Sequence, residues 1–239
     1  MKITQVIAVL AVATISVGAM AQQGGGGQGR RGGMQFGGGG NASPSSLLIG
    51  FGGGGRRGGG GGGGQNGLRD DVISDLKLTD AQKKTFDDYR TAQGEKIREM
   101  FQGGSRPDAD AMKKMMADAQ TDANKVVADT LTPAQVTRLG QIFIQTQGAR
   151  AITHADTQKA LAITADQKTK IESIVSGEQK ANQAIGEQMQ DGSLDRDAAR
   201  EKMTSNRKVG DDALMAVLTA DQKTKLTEMG GPKFVRSSE

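Results

Sequence analysis

From about residue 68 onward, apolar side chains recur at helical spacing. Phe86, Tyr89, Ile97, Met100 and Phe101 fall largely on one face, with polar Gln93 filling a gap. The string GGSRPD at 103–108 then interrupts the pattern, because Gly and Pro both oppose helix. A second stripe runs through Met112, Met115, Met116, Ala119, Ala123, Val126 and Val127. A third takes Val136, Leu139, Ile142 and Phe143. The plan then repeats. Ile171, Ile174, Val175, Ala181, Ile185 and Met189 precede a break at QDGS (190–193), and Ala199, Met203, Leu214 and Val217 follow it. A period near 3.6 predicts amphipathic helices. The palette of Leu, Ile, Val, Met and Ala, with no Trp and one Tyr, agrees. The expected class is all-α.

Four related phrases mark where stripes begin: LTDAQ at 78–82, LTPAQ at 131–135, ITADQ at 163–167 and LTADQ at 218–222. Thr at the N-cap accepts from the backbone N–H three residues on, and Gln there reaches back to the N-cap N–H. This reciprocal capping box is worth on the order of 1 kcal/mol. Thr79 pairs in this way with Gln82, Thr132 with Gln135, Thr164 with Gln167, and Thr219 with Gln222. Pro133 suits the first helical position, where its missing N–H costs nothing. Leu78, Leu131, Ile163 and Leu218 precede the caps and are expected to point inward.

Spacing adds more. Leu78 and Leu131 are 53 residues apart, Ile163 and Leu218 are 55 apart, and the corresponding copies are offset by 85 and 87. The chain therefore reads as a tandem duplication, with units at 68–148 and 149–239. Each is a pair of long helices in an antiparallel hairpin, since a lone amphipathic helix cannot bury its stripe.

The N-terminal third changes the picture. Residues 1–21 carry Lys2, an apolar run and small residues around Ala19 and Ala21, which is the pattern of a cleaved secretory signal. The expectation is export to the periplasm, with no membrane span after cleavage. Residues 22–67 are about half Gly, hold Arg30, Arg31, Arg56 and Arg57, and contain no acid. They read as a disordered arm with too little apolar surface to offset its ordering. SPSSLLIGF at 43–51 interrupts it and is apolar enough to dock transiently on a partner or on the folded part. The arm holds the excess positive charge, and residues 68–239 are within one charge of neutral. The Arg-Gly runs resemble RNA-binding boxes, but for an exported chain a tether is the expected role, and nucleic acid is not the expected partner.

Little here points to catalysis. With no Cys and one His, thiol chemistry and a conventional zinc site are excluded. His154, near Asp156, reads as a surface or capping residue. The acidic clusters RDD, DADA, DRDAARE and GDD have neither calcium-loop spacing nor an acid/base arrangement, and several suit helix starts. The expectation is no enzyme and no cofactor. Met100, Phe101, Met112, Met115 and Met116 bracket the first hairpin turn. They read as core, or as an adaptable surface for contacting client chains, because the thioether repacks easily.

The paired LTxxQ phrases in an exported, helical chain resemble the Spy/CpxP family of periplasmic chaperones and stress regulators, over roughly 68–229. The resemblance implies a cradle of long helices, often built from two chains, that holds unfolded or misfolded envelope proteins without ATP. The LTxxQ residues there help to build the cradle. Four motifs in one chain leave open a homodimer or a single chain imitating one. The alternative is an envelope adaptor, with the arm as tether and the helices as a platform for a protein partner.

Overall fold

The computed structural model describes residues 43–49, 64–102 and 108–236. Among these, eight α-helices and two 3-10 turns follow one another without a strand. The helices are α1 Gly64–Asp75, α2 Asp80–Gln102, α3 Ala109–Thr130, α4 Pro133–Gln147, α5 Ala155–Ala160, α6 Ala165–Gln190, α7 Arg196–Val217 and α8 Ala220–Met229. The 3-10 turns are Pro44–Leu47 and Gly148–Thr153. The all-α class with two long hairpins, α2–α3 and α6–α7, is as the periodicity predicts. The segment expected to be an export signal, and most of the arm, lie outside the described residues.

Both hairpins restart on an aspartate cap. Asp108 accepts from Ala111 N–H at 2.7 Å, and Asp195 accepts from the N–H groups of Asp197 and Ala198, both at 2.9 Å. The duplication extends to the backbone. Lys77 and Ala162 sit 85 residues apart, one residue before Leu78 and Ile163, and both are left-handed, with φ of 50° and 52°. A side chain there costs roughly 1–2 kcal/mol. Ala162→Gly is therefore expected to raise stability by about 0.5–1 kcal/mol after the entropy of the unfolded glycine is counted. Thermal unfolding would register this as an increase of about 2 °C, and a decrease would refute the account.

The core follows the repeat. In the first unit Phe86, Val127, Leu131, Leu139, Ile142 and Phe143 are buried; in the second, Ile171, Leu214, Leu218 and Leu226. These residues belong to one continuous cluster, so the two units share a core rather than folding apart. Their junction is Gly148, at φ 56° and ψ −128°, a conformation open essentially to glycine alone. The C-terminal residues return to α4. Gln145 Oε1 accepts from Phe234 N–H at 2.8 Å, while its Nε2 donates to the carbonyls of Gly230 and Pro232. Phe234 is buried there.

Two stretches of the arm differ from the sequence reading: Gly64–Gly67, assigned to it, begin α1, and a second stretch lies farther upstream. Ser43–Ile49, assigned to the disordered arm, is a buried part of the first unit. Leu48 is 0% and Ile49 1% exposed, against α1, α3 and α4. The reason is local: three consecutive aliphatic residues supply the apolar area that the surrounding glycines lack.

Candidate functional site

The four LTxxQ phrases do more than start helices. All four capping boxes form, with Gln Oε1 accepting from the N-cap N–H at 3.0 Å in each. The glutamines then meet in pairs. Gln82 Nε2 donates to Gln135 Oε1 at 2.9 Å and to the Thr130 carbonyl at 2.9 Å. Gln135 Nε2 donates back to Gln82 Oε1 at 3.3 Å and to the Leu76 carbonyl at 3.0 Å. Gln167 and Gln222 reproduce the arrangement. Gln167 Nε2 reaches Gln222 Oε1 at 2.7 Å and the Val217 carbonyl at 2.9 Å. Gln222 Nε2 reaches Gln167 Oε1 at 3.1 Å and the Leu161 carbonyl at 3.2 Å.

Each pair thus ties two helix N-termini to each other and to the chain ends that precede them. The amide is required on both counts, because only it offers an acceptor and two donors at the same tip. Leu78, Leu131 and Leu218 are buried beneath the pairs, and Ile163 is half-buried. Nothing in this arrangement transfers a proton or activates a nucleophile; it clasps the base of each hairpin.

The hairpins differ above their clasps. α6 and α7 pack along much of their length, whereas α2 and α3 meet far less. Between α2 and α3 lies an open groove of about 290 Å³, lined by Gln93, Lys96, Met115, Asp118, Ala119 and Asp122 among others. Tyr89 crosses from α2, its hydroxyl donating to the Ala119 carbonyl at 3.0 Å. Burial, and next the negative charge of Asp122, push its phenol up from the ordinary value. Lys114 pairs with Asp118 at 2.6 Å along the rim.

Of the methionines expected near this turn, Met115 lines the groove, Met116 is 42% exposed and Met100 is half-buried. Phe101 and Met112 lie on α2 and α3, and their side chains are outside the described part. Ile97 and Val136, both placed on apolar stripes, are 39% and 42% exposed, so those stripes run out into solvent.

His154 is the N-cap residue of α5 without a side-chain capping bond. Its ring meets Phe143 edge-on at 5.4 Å, and Nδ1 lies 3.8 Å from Asp156. Among the described residues, no three His, Asp or Glu side chains converge as a metal site. No helix among them is long and apolar enough to cross a membrane.

Sequence reasoning missed two arginine ties. Arg138 makes a two-pronged contact with Asp75, Nε to Oδ1 at 2.6 Å and Nη2 to Oδ2 at 2.8 Å. It also donates to the Pro232 carbonyl at 2.7 Å. Arg150, in the second 3-10 turn, lies 2.8 Å from Glu178 of α6 and 2.8 Å from Asp211 of α7. No periodicity marks such residues, because their partners are dozens of positions away in sequence. Comparison with family models, with characterised proteins and with solved structures found no match to this chain.

Proposed function

We propose that this chain is an exported, ATP-independent holding chaperone or envelope-stress accessory protein of the Spy/CpxP kind, acting in the periplasm on unfolded or misfolded proteins. The observation that supports this is the contrast between two copies of one hairpin. α6 and α7 pack along much of their length, whereas α2 and α3 meet less and leave a shallow depression between them in which Met115 lies beside cationic and anionic side chains. Unfolded chains present apolar side chains, charges of both signs and unpaired backbone groups. A shallow groove with an adaptable thioether and a mixed-charge rim meets all three weakly and without sequence demand.

Light scattering from two unrelated unfolding proteins, in the absence of ATP, is expected to fall when the full chain is added near equal stoichiometry. Met115→Asp is expected to weaken this protection about fivefold, the equivalent of ~1 kcal/mol of apolar contact with the client. Failure to protect either protein would end the holdase reading. Protection of one alone would point to a dedicated adaptor.

A further inference from the structure

The Ser43–Ile49 segment is held in a manner that a second chain can reproduce. Gln120 Nε2 donates to Ser43 Oγ at 2.6 Å and to Ser45 Oγ at 2.9 Å, and Ser45 Oγ donates to Asn124 Oδ1 at 2.6 Å. Arg69 Nε donates to the Leu48 carbonyl at 3.0 Å. Ser43 and Ser45 are 3% and 2% exposed, so these bonds satisfy buried hydroxyls. The groove formed by α1, α3 and α4 therefore reads three features of its occupant: hydroxyls at its first and third positions, three consecutive aliphatic side chains and a backbone carbonyl.

The second unit shows what a built-in occupant looks like. Gln120 and Asn124 correspond to Arg207 and Asp211, 87 residues on. There the 3-10 turn Gly148–Thr153 packs on α7, Ala151 and Ile152 are fully buried, and Arg150 reaches Asp211 and the Arg207 carbonyl. That turn follows α4 directly and leads into α5. Its counterpart in the first unit instead joins α1 through residues 50–63, GFGGGGRRGGGGGG. The same repeat position is filled in one unit by the continuous chain and in the other by a tethered segment.

We propose that the α1–α3–α4 groove is a docking site for short segments of other polypeptides, with Ser43–Ile49 as its displaceable resident. The partner has small hydroxyl residues followed by two or three consecutive aliphatic side chains. This site is separate from the α2–α3 groove and goes beyond the holdase reading, adding a sequence-selective place for an incoming chain where that groove makes no sequence demand. A segment tethered through a Gly-rich linker of this length competes at an effective concentration on the order of 1 mM, which sets the threshold an incoming chain must exceed.

The chain contains no Cys, so Leu48→Cys in the full chain gives a single thiol, buried while the segment is docked. Its alkylation rate is to be measured against the peptide SPSSLLI and a control, SPSSLDI. The expected result is a saturable acceleration by the first peptide, half-maximal near ~1 mM, and none by the control. An unchanged rate over that range, or equal acceleration by both peptides, overturns the proposal. Leu47→Cys reports the same exchange if position 48 does not accept a thiol. Displacement without suppression of aggregation would keep this site and remove the holdase reading; suppression without displacement would do the reverse.

Discussion

Gln167→Ala is expected to lower the unfolding free energy by about 2–3 kcal/mol, well beyond the ~1 kcal/mol of Thr164→Ala. The difference lies in what each side chain holds. Thr164 supplies one half of a helix cap, accepting from Gln167 N–H at 3.2 Å. Gln167 supplies the other half, bonds the Val217 carbonyl, and exchanges hydrogen bonds in both directions with Gln222. A net contribution near 1 kcal/mol per bond, discounted because water reaches these half-buried atoms, gives the figure. Denaturant unfolding of both variants tests it, and equal losses would mean that the glutamine acts as a cap alone. Gln167→Glu sharpens the test. Its carboxylate would face the Val217 carbonyl and Gln222 Oε1 with no donor, so stability should fall at neutral pH. It should partly recover as the pH drops and the carboxyl takes up a proton able to donate.

Arg150→Ala is expected to cost about 2–3 kcal/mol, less than the 3–5 kcal/mol of a fully buried broken pair because water retains some access. Arg150 and Glu178 are 13% and 14% exposed at their side chains, and Asp211 is 35% exposed. Losing the guanidinium strands the Glu178 carboxylate, whereas Asp211 keeps Arg207 at 3.9 Å. Gly210 makes the place tighter still, since a Cβ there would lie 2.7 Å from Glu178 Oε2. Pairing Arg150→Met with Glu178→Met should restore much of the loss, because a packed apolar pair removes the stranded charge. If the double variant is no more stable than Arg150→Ala, the charge argument fails and the arginine matters for its bulk.

The sequence made some features legible and hid others for physical reasons. Helix starts were readable because a capping box is local: Thr and Gln three residues apart carry the whole signal. The hairpin breaks were readable for the same reason, with α6 ending at Gln190 and α7 beginning after the Asp195 cap. The destination of a stripe was not. Phe86 and Ile97 lie on the same predicted face, yet one is 1% and the other 39% exposed, because the apolar core takes in Phe86 and packs against Tyr89 but does not extend to Ile97. The glutamine pairs were half visible. The cap could be read from each phrase alone, but the meeting of Gln82 with Gln135 depends on which helices come together. The docked Ser43–Ile49 turn was half visible: its Leu-Leu-Ile triplet marked it as able to dock, but its glycine surroundings hid that it forms part of the buried core.

The return of the C-terminal residues to α4 bears on the order in which the protein assembles. The hairpins α2–α3 and α6–α7 join neighbours in sequence and so close quickly. The bonds from Gln145 to Gly230, Pro232 and Phe234 span 85 to 89 residues, a loop whose closure entropy must be met before they form. They also require residues 230–234, beyond α8, to be in place. The hairpin of the first unit can close early, but α4 acquires these polar partners only after the second unit has brought residues 230–234 back to it. Completion of the first unit is thereby coupled to the folding of the second.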